Sequence, residues 1–481
     1  MPALPAPERE MGVGSTEPIQ ERGMATLNAL ERHLALIGFM GAGKTRSYAE
    51  IAARLGRPGV DVDEDATAQI ERYGLDGFRL IEEERTCHAL ALREPHVFAL
   101  GGGAVTSPAV RDALRDAFTV LLDVSADEAW QRVRGGDRPL AKEEQQFRRL
   151  FDERESVYRT VADATATDVD GVILAAAGIQ YELGALERLG ELVPSEGPVA
   201  LVADATVLGI YGPRAQEALG DRLASVHEVP AGEGAKQLRV AERLFGELRL
   251  DRGGTIVALG GGSTTDLAGF VAATHLRGVP WVPVPTTAVG QVDAAIGGKT
   301  AVDIPQGKNL VGAFHWPART LIDPALLESL PERERRQGLA EQVKTELLAG
   351  RSLDGREAAA YKAAVCLRDP QDRGPRQWLN LGHTFAHALE AAADFELTHG
   401  DAVALGLLAA LRLSGRDTAP VVDALDPQPV AVDRGRAWEA LRRDKKRAGG
   451  EIRLVLLGED GPVVEARPEG EVRAALDTLI R

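Results

Sequence analysis

Short apolar runs alternate with helical patterns over the first third of the chain. Runs of this kind, bounded by turn residues, are typical of strands buried on both faces of a parallel sheet. The strand-like runs are His33–Phe39, Gly59–Val62, Val97–Leu100 and Thr119–Val124. A helical pattern over Arg46–Leu55 separates the first two runs, and a charged helical pattern over Phe147–Val161 follows the last. The alternation predicts an α/β domain over residues 33–168.

A second alternation begins after a small and polar stretch at Thr165–Gly171, where we place a domain boundary. Its strand-like runs are Gly178–Leu183, Pro198–Ala203, Thr255–Leu259 and Trp281–Val284. The third of these runs precedes a glycine loop, an arrangement in which the backbone can approach a diphosphate closely. We therefore predict an α/β dinucleotide-binding domain over residues 169–325.

Helical patterns replace the strand signals after about Asp323. They cover Glu332–Leu348, Glu357–Leu367, Trp378–Ala392 and Ala402–Leu413. A late apolar run at Ile452–Leu457 is consistent with an edge strand. The third predicted domain, over residues 326–481, is therefore mainly α-helical.

The charge and the apolar content of the chain exclude some classes of binding partner. The formal net charge of −16 argues against nucleic acid, because phosphate backbones require a basic surface. No run of about 18 apolar residues is present, so we expect no membrane partner. Residues 1–32 are rich in Pro, Glu and Gly and lack an apolar segment, which predicts a disordered tail and no signal peptide. Cys87 and Cys366 lie far apart in sequence and form no CxxC motif, which suits the reducing cytoplasm. The charge leaves small-molecule substrates open, since an anionic one needs only a local cluster of Lys and Arg.

The first glycine loop matches the phosphate-binding pattern GxxxxGK[ST]. Its sequence, GFMGAGKT, occupies residues 38–45 between a predicted strand and a predicted helix. Gly41 and Gly43 allow backbone N–H groups to converge on phosphate oxygens, and the start of the helix adds partial positive charge. Lys44 is expected to reach the β- and γ-phosphates of ATP, and the Thr45 hydroxyl to bind Mg²⁺. The loop therefore predicts an ATP site.

Four further motifs follow in the first domain: Asp61-Val-Asp63, Gly101-Gly102-Gly103, Arg138-Pro139-Leu140, and Arg154 with Tyr158. With these motifs the domain resembles shikimate kinase. The resemblance implies that Asp61 lies near Mg²⁺ and that Asp63 and Gly102 contact shikimate. It also implies that Arg138 belongs to a mobile lid and that Arg154 binds the shikimate carboxylate, for which a guanidinium is well suited.

The first domain departs from that family at one position. The family usually has a GE…FR segment whose arginine also binds the shikimate carboxylate. Our alignment places His88 at the position of that arginine. Arg79 or Arg85 could compensate. The alternative to an active kinase is a degenerate kinase module with a structural or regulatory role.

Histidines and a glutamate predict a metal site in the last domain. His383 and His387 stand four residues apart in a helical pattern and therefore share one face, while His399 follows in THGDA and Glu341 precedes in AEQVK. One carboxylate and two imidazoles suit Zn²⁺ and leave an open position for substrate. By themselves these residues indicate only a generic metal site.

A second glycine loop and a set of lysines point to a dinucleotide and an anionic substrate. The loop, GGGSTTD at residues 260–266, follows a predicted strand. Lys299 in GGKT and Lys308 in GKN lie in glycine-rich, otherwise apolar loops, where lysines without a role are unusual. Lys344 and Lys362 complete the set.

These segments together resemble 3-dehydroquinate synthase over about residues 171–481. The matching stretches include GGGSTTDLAGFVAAT, VPTTAVGQVDAAIGGKT, GKNLVGAFHWP and LNLGHTFAHALE. The resemblance implies that Zn²⁺ or Co²⁺ is bound by Glu341, His383 and His399. It implies NAD contacts from Asp204, Glu233, Lys236, Gly261, Gly262, Asp266, Thr286, Thr287 and Lys308. It implies substrate contacts from Arg277, Asp293, Lys299, Asn309, Lys344, Lys362, Arg376, Asn380, His387 and Lys446.

The resemblance also implies catalytic roles. His387 is expected to act as an acid/base group and not as a fourth metal ligand. The other residues expected in catalysis are Arg277, Lys299, Lys344, Lys362 and Asp372. The last of these stands where the family often has glutamate, and the helices after Gly350 look truncated relative to the family.

The family converts 3-deoxy-arabino-heptulosonate 7-phosphate to 3-dehydroquinate and phosphate. NAD⁺ transiently oxidises the C5 alcohol while the metal polarises its oxygen, phosphate leaves, the hydride returns, and an aldol step closes the ring. The two resemblances predict a bifunctional enzyme of aromatic amino acid biosynthesis, expected to be a homodimer. The alternative for the C-terminal part is a polyol dehydrogenase of the glycerol dehydrogenase type, which has no use for lysines that suit a phosphorylated acid.

Overall fold

A computed structural model of the chain describes residues 28–63, 66–136, 139–394, 396–444 and 451–481. Arg138 and Lys446, both predicted to contact substrates, lie outside the described residues, as does most of the predicted tail. The end of that tail differs from the prediction of disorder through residue 32. Asn28 and Ala29 are buried, and the Ala29 N–H donates to the Ala176 carbonyl at 2.7 Å.

Strands and helices alternate until about residue 330, and helices dominate thereafter. The strands are β1 (Leu34–Ile37), β2 (Gly59–Asp61), β3 (Val97–Ala99), β4 (Phe118–Leu122), β5 (Ala164–Ala166), β6 (Ile179–Tyr181), β7 (Val199–Asp204), β8 (Leu223–Val229), β9 (Thr255–Gly260), β10 (Trp281–Pro285), β11 (Lys299–Ile304), β12 (Gly307–Phe314), β13 (Thr320–Ile322), β14 (Glu451–Gly458) and β15 (Gly461–Pro468). The helices are α1 (Lys44–Leu55), α2 (Ala66–Leu90), α3 (Pro108–Ala113), α4 (Ala126–Val133), α5 (Glu144–Val161), α6 (Val169–Ala176), α7 (Leu189–Leu192), α8 (Ala205–Leu219), α9 (Leu238–Glu247), α10 (Gly262–Thr274), α11 (Glu332–Ala349), α12 (Gly355–Arg368), α13 (His383–Ala392), α14 (His399–Leu413), α15 (Ala419–Leu425), α16 (Arg434–Asp444) and α17 (Glu469–Asp477).

The N-terminal domain is built on a parallel five-stranded sheet in the order β2-β3-β1-β4-β5. Every residue of the central strand β1 is buried, as expected for a parallel strand covered on both faces. The first glycine loop joins β1 to α1. It begins at Gly38, whose φ of 144° favours glycine and whose added Cβ would lie 2.6 Å from the Leu122 carbonyl oxygen. The predicted α/β fold is confirmed, although β5, in the small and polar stretch, was not predicted.

The middle domain contains a parallel four-stranded sheet in the order β10-β9-β7-β8. The second glycine loop joins β9 to α10, so the predicted strand–loop–helix arrangement is present. The two segments with Lys299 and Lys308 were interpreted as loops, but they form the antiparallel hairpin of β11 and β12. Strand β6, at the start of this domain, pairs in parallel with β13 at its end.

The last domain is mainly helical, as predicted, with one antiparallel hairpin of β14 and β15. The helix predicted over Trp378–Ala392 is wrong as a continuous element: a 3₁₀ helix spans Pro375–Asn380, and α13 begins at His383. The break lies at Gly382, which has φ of 79° and whose added Cβ would come 2.8 Å from the Leu407 backbone nitrogen in α14. The sequence contains no sign of this close approach. No helix in the described part of the chain is long and apolar enough to span a membrane.

The N-terminal domain shares its apolar core with α12. Ala359, Ala360 and Ala363 of α12 are fully buried and belong to the same apolar cluster as β1, α1 and α6. At the edge of this contact, Arg356 of α12 makes two hydrogen bonds to Asp168, of 3.0 and 2.8 Å. The helix that carries Lys362 is therefore covered on one side by the N-terminal domain.

We predict that the Ala363→Leu substitution destabilises both parts of the chain together. Ala363 has no exposed surface, so a larger side chain would overpack the contact between α12 and the N-terminal domain, at a cost of about 1–3 kcal/mol. Calorimetry of the full chain should show one unfolding transition that moves to lower temperature as a whole. The matched control is Ala474→Leu on the exposed face of α17. Loss of stability in the C-terminal part alone would contradict a shared core.

Candidate active sites

The three residues predicted to bind a metal lie together. Glu341 projects from α11, whereas His383 and His399 are the first residues of α13 and α14. One ligand atom from each residue lies within 4.8 Å of the other two. Oε1 of Glu341 is 3.4 Å from His383 Nε2 and 3.1 Å from His399 Nε2. One carboxylate and two imidazoles at these distances form a donor set that a divalent cation such as Zn²⁺ can share.

Glu341 is a fully buried carboxylate. Burial alone would raise its pKa, but Lys344 and His383 hold the pKa well below its ordinary value. Oε2 of Glu341 lies beside the Lys344 ammonium, whereas Oε1 faces both imidazoles. A carboxylate and two imidazoles that converge in this way fit a bound divalent metal.

Asp293 lies next to this cluster and is close to two of the lysines that were predicted to contact substrate. It lies in a π-helical turn at Gly290–Ala294, a local distortion frequent at functional sites. Its Oδ1 contacts the Lys362 ammonium and lies 3.8 Å from Lys344 Nζ. Burial opposes the charge on Asp293, but the two lysines keep its pKa below the ordinary value. Burial also opposes the charge on Lys344, yet Asp293 and Glu341 raise its pKa, so the ammonium stays charged.

A third predicted lysine forms a separate ion pair. Lys299 Nζ is 2.5 Å from Asp372 Oδ2. Arg376, also predicted to contact substrate, is buried and donates to the Gly297 carbonyl at 2.8 Å and to the Pro370 carbonyl at 2.9 Å. These bonds fix the loop that carries Asp372 against the glycines before Lys299.

The other predicted substrate residues are more scattered. His387 is exposed on α13, and its ring centroid lies 5.6 Å from that of His383. Asn380 is half-buried at the end of the 3₁₀ helix that precedes Gly382. Arg277 is exposed after α10, and within the described residues no contact joins it to the lysines. Its role stays a prediction.

The predicted NAD contacts gather where α10 begins. Lys236 is buried and pairs with Asp266 at 2.6 Å. Burial opposes its charge, but Asp266 raises its pKa. Lys236 also donates to Asn309, which was predicted to contact substrate. Glu233 lies nearby, 3.6 Å from Lys308.

The backbone around this loop is open to a diphosphate. An added Cβ at Gly261 would lie 3.0 Å from the Thr287 methyl group, so glycine allows this approach. The Thr286 N–H donates to the Gly260 carbonyl at 3.0 Å, which holds the end of β10 beside the loop. Gly262 starts α10, whose N-terminus favours an anion. Asp204, at the end of β7, accepts the N–H groups of the first turn of α8.

The first glycine loop lies between β1 and α1, as predicted. Gly41 and Gly43 have φ of 89° and 99°, in the left-handed region that glycine tolerates. Lys44 is buried, and its ammonium donates to the Gly38 carbonyl at 2.6 Å and the Phe39 carbonyl at 3.2 Å. Thr45 is exposed at the first turn of α1. This is a loop whose N–H groups can surround a phosphate.

The residues predicted to contact shikimate lie beside Gly101-Gly102-Gly103. The Gly102 carbonyl accepts hydrogen bonds from Arg154 at 3.1 Å and from the Tyr158 hydroxyl. Asp63 is close to the buried Glu82, since a Cβ added at Gly101 would meet both carboxylates. Burial and the charge on Glu82 raise the pKa of Asp63 to about 6.

The placement of His88 at the family's second arginine is not supported. His88 is exposed on α2, whereas the Arg79 guanidinium pairs with Glu82 and lies against Gly103. A Cβ added at Gly103 would overlap the Arg79 Nη1 atom. The sequence did contain a signal, because Phe78-Arg79 is itself an FR pair. The alignment missed this pair because it placed Cys87-His88 at the family's FR and shortened the helix after His88 instead.

Glu390 lies next to the three residues predicted to bind a metal, and it was not among the residues predicted from the sequence. Its Oε1 lies 3.1 Å from Nδ1 of His399. Glu390 is three residues beyond His387 and therefore shares the α13 face with the histidines. That helical spacing was the available signal.

Known families match all three parts of the chain. The model of the shikimate kinase family matches residues 40–176. The models named 3-dehydroquinate synthase N-terminal and C-terminal match residues 226–337 and 323–425. The 3-dehydroquinate synthase of Symbiobacterium thermophilum is 41% identical over 353 residues, which are 64% of this chain and 98% of that protein. This chain belongs to the 3-dehydroquinate synthase family.

Other relatives agree with this assignment. The 3-dehydroquinate synthase of Bordetella pertussis is 39% identical over 360 residues, which are 65% of this chain and 100% of that protein. The matched shikimate kinase region precedes the synthase region, so the chain is a fusion of the two families and a bifunctional shikimate-pathway enzyme. The polyol dehydrogenase alternative is not borne out.

Two solved structures resemble the synthase part. A 2-deoxy-scyllo-inosose synthase complexed with carbaglucose-6-phosphate, NAD⁺ and Co²⁺ is 25% identical, covers 62% of this chain and 95% of its own, and has a TM-score of 0.56. A 2-epi-5-epi-valiolone synthase from Streptomyces hygroscopicus with bound NAD⁺ and Zn²⁺ is 26% identical, covers 63% and 96%, and has a TM-score of 0.55. Both therefore share the synthase fold, and both bind NAD⁺ with a divalent metal.

We predict a pH step in the kinase reaction that belongs to Asp63. The pKa of this carboxyl is raised to about 6, so it becomes protonated as the pH falls through that value. A protonated carboxyl cannot accept a proton from the acceptor hydroxyl, and kcat/KM for shikimate should fall about tenfold per pH unit below pH ~6. The pH profile of ADP formation measures this.

The matched control for this profile is the Asp63→Asn variant. Its residual rate should lack the step because the amide does not titrate. A wild-type profile that is flat between about pH 5 and 7 would contradict the assignment of the pH step to Asp63.

Proposed function

We propose that the synthase part converts 3-deoxy-arabino-heptulosonate 7-phosphate to 3-dehydroquinate with NAD⁺ and a divalent metal, Zn²⁺ or Co²⁺. The observation that carries this proposal is that Lys344 lies beside Glu341 and shares Asp293 with a second lysine, Lys362. A phosphorylated acid needs cations where a metal polarises its alcohol, whereas an uncharged polyol does not.

The donor set and the loops supply what the reaction requires. The metal would be held by Glu341, His383 and His399, and NAD⁺ by the loop at residues 260–266 with Lys236 and Asp266. When bound, the two groups polarise the substrate alcohol and carry its hydride. In each case the support is geometric: ligand atoms converge for the metal, and glycine backbone precedes a helix N-terminus that can take a diphosphate.

The substrate would be held by cations that already have carboxylate partners. Lys362 and Lys344 share Asp293, and Lys299 pairs with Asp372, so each ammonium is oriented before substrate arrives. The phosphate and carboxylate of the substrate offer these ammonium groups stronger acceptors. The exposed imidazole of His387, close to the metal cluster, is placed to move a proton at the ring alcohols.

We propose that the N-terminal part phosphorylates shikimate with ATP and Mg²⁺, in preference to a degenerate module. The support is that Arg79 lies against Gly103, so an arginine is present where His88 was expected to replace one. Arg79 and Arg154 would hold the acceptor carboxylate, Asp63 would accept the proton of its hydroxyl, and Lys44 with Thr45 would serve the ATP phosphates and Mg²⁺.

We further propose a homodimer that works in the cytoplasm. Leu310 and Phe314 of β12 are 61% and 51% exposed, and a second copy would cover such apolar side chains. Cys87 and Cys366 are unpaired thiols, which suits a reducing compartment. Light scattering of the purified chain tests the homodimer, and a monomer at micromolar concentration would contradict it.

Two single substitutions should separate the two activities. Lys362→Ala removes a charge-assisted contact to the phosphorylated substrate and should lower synthase kcat/KM about 10- to 100-fold while shikimate phosphorylation is unchanged. Lys44→Ala should abolish phosphorylation and leave the synthase intact. Each variant is the control for the other, and both activities are measured as product formed from each substrate.

The metal requirement is tested in the same synthase assay. A chelator should abolish 3-dehydroquinate formation, and Zn²⁺ or Co²⁺ should restore it. Activity that persists after the chelator has removed all divalent metal would contradict the assignment of Glu341, His383 and His399.

Arg79 and His88 can be compared directly. Arg79→Ala removes a guanidinium that faces the acceptor position and should raise the KM for shikimate at least about tenfold. His88→Ala changes an exposed side chain on the same helix and should leave KM within about twofold. A larger increase in the KM for shikimate in His88→Ala than in Arg79→Ala would instead assign binding of the shikimate carboxylate to His88.

A further inference from the structure

Helix α13 carries a buried carboxylate, Glu390, to which the proposed reaction gives no role. His383, His387 and Glu390 follow one another at helical spacing, and Glu390 is only 8% exposed. Its electrostatic neighbours are His399, His387 and Lys308. A carboxylate this deeply buried must have a specific partner, because its desolvation is costly.

That partner is the imidazole of His399. Nδ1 lies 3.1 Å from Glu390 Oε1, and Nε2 lies 3.1 Å from Glu341 Oε1. A carboxylate can only accept a hydrogen bond, so Glu390 keeps a proton on Nδ1. A cation bound at the donor set would take the place of the proton on Nε2, so that the Nε2 lone pair becomes a metal ligand while Nδ1 keeps its proton.

His383 has the same orientation by a different means. Its Nδ1 lies 3.2 Å from the Leu381 backbone carbonyl, and its Nε2 faces Glu341. A backbone acceptor fixes this ring regardless of sequence, whereas the acceptor for His399 is a side chain. The side chain of His399 is also more exposed, 34% against 11% for His383, so packing restrains it less.

We propose that Glu390 is a positioning residue that sets the tautomer and ring orientation of His399 for the divalent metal. The proposal rests on the proposed function, because it requires that His399 is a metal ligand. Groups that orient ligating histidines in this way typically contribute 10- to 100-fold to metal affinity. Glu390 itself does not touch substrate or metal.

The test uses the full chain, stripped of metal and titrated with Co²⁺ against a chromogenic chelator. Glu390→Met keeps the length of the side chain and removes the acceptor, and we expect Co²⁺ affinity to fall about 10- to 100-fold with faster release. Glu390→Gln retains a carbonyl that can accept the Nδ1 proton, and we expect a smaller loss, about threefold to tenfold. The visible absorption of bound Co²⁺ should change in the Met variant, because ring orientation alters the ligand field.

Glu396→Met is the matched control. Glu396 is exposed and lies three residues before His399, so its loss changes the local charge without touching the ring. This variant should bind Co²⁺ like the wild type. Shikimate phosphorylation by each variant reports whether the chain is folded, since that site is separate.

The outcomes separate this proposal from the proposed function. Wild-type affinity and Co²⁺ spectrum in Glu390→Met would overturn the positioning role. If Glu390→Met does not fold, Glu390→Gln decides, and unchanged affinity and release rate in that variant would also overturn it. Failure of the wild-type chain to bind Co²⁺ at all would instead refute the metal assignment of the proposed function.

Discussion

The synthase site depends on the burial of one charge, the Glu341 carboxylate. A fully buried carboxylate loses its hydration, and the cost of several kcal/mol is offset only by cations and hydrogen-bond donors placed around it. Lys344 from the same helix and the first residues of α13 and α14 supply them. The starts of two helices are therefore fixed against a third by the requirement to neutralise one group.

The same electrostatic requirement extends outward to the N-terminal domain. Lys344 is shared between Glu341 and Asp293, and Asp293 also holds Lys362 on α12. The opposite side of α12 is a row of buried alanines in the core of the kinase domain. Alanine has no flexible side chain that could absorb a shift, so the position of α12 depends directly on kinase helices α1 and α6. The family's helices after Gly350 look truncated in this chain, and it is the kinase domain that covers α12.

Motifs with fixed local geometry could be predicted from the sequence, and contacts between distant elements could not. Each glycine loop lies between the strand and the helix expected of it, because the loop and its flanking elements are contiguous in sequence. The continuous helix over Trp378–Ala392 was wrong because Gly382 is required by a close approach to α14, which only tertiary structure shows. The hairpin of β11 and β12 was missed because glycines and lysines interrupt its alternating pattern.

The position of Arg79 was lost for a related reason. The alignment alone did not show which side chain of α2 faces the glycines at residues 101–103, whereas the structure places Arg79 against Gly103 and beside Glu82. Glu390 was missed because its partner, His399, comes from another helix.

In both candidate sites, cations that we propose to bind substrate are paired with carboxylates of the chain. Arg79 pairs with Glu82, Lys299 with Asp372, and Lys362 with Asp293. Because an unpaired cation in a half-buried site would be costly, the carboxylate occupies the place of the anion while substrate is absent. An incoming carboxylate or phosphate must then compete with a neighbour in the chain, so only a ligand that engages several cations at once gains net free energy. In the synthase part, where Lys299 and Lys362 are both paired, this competition favours a substrate with two anionic groups over simple anions, as expected for a phosphorylated acid.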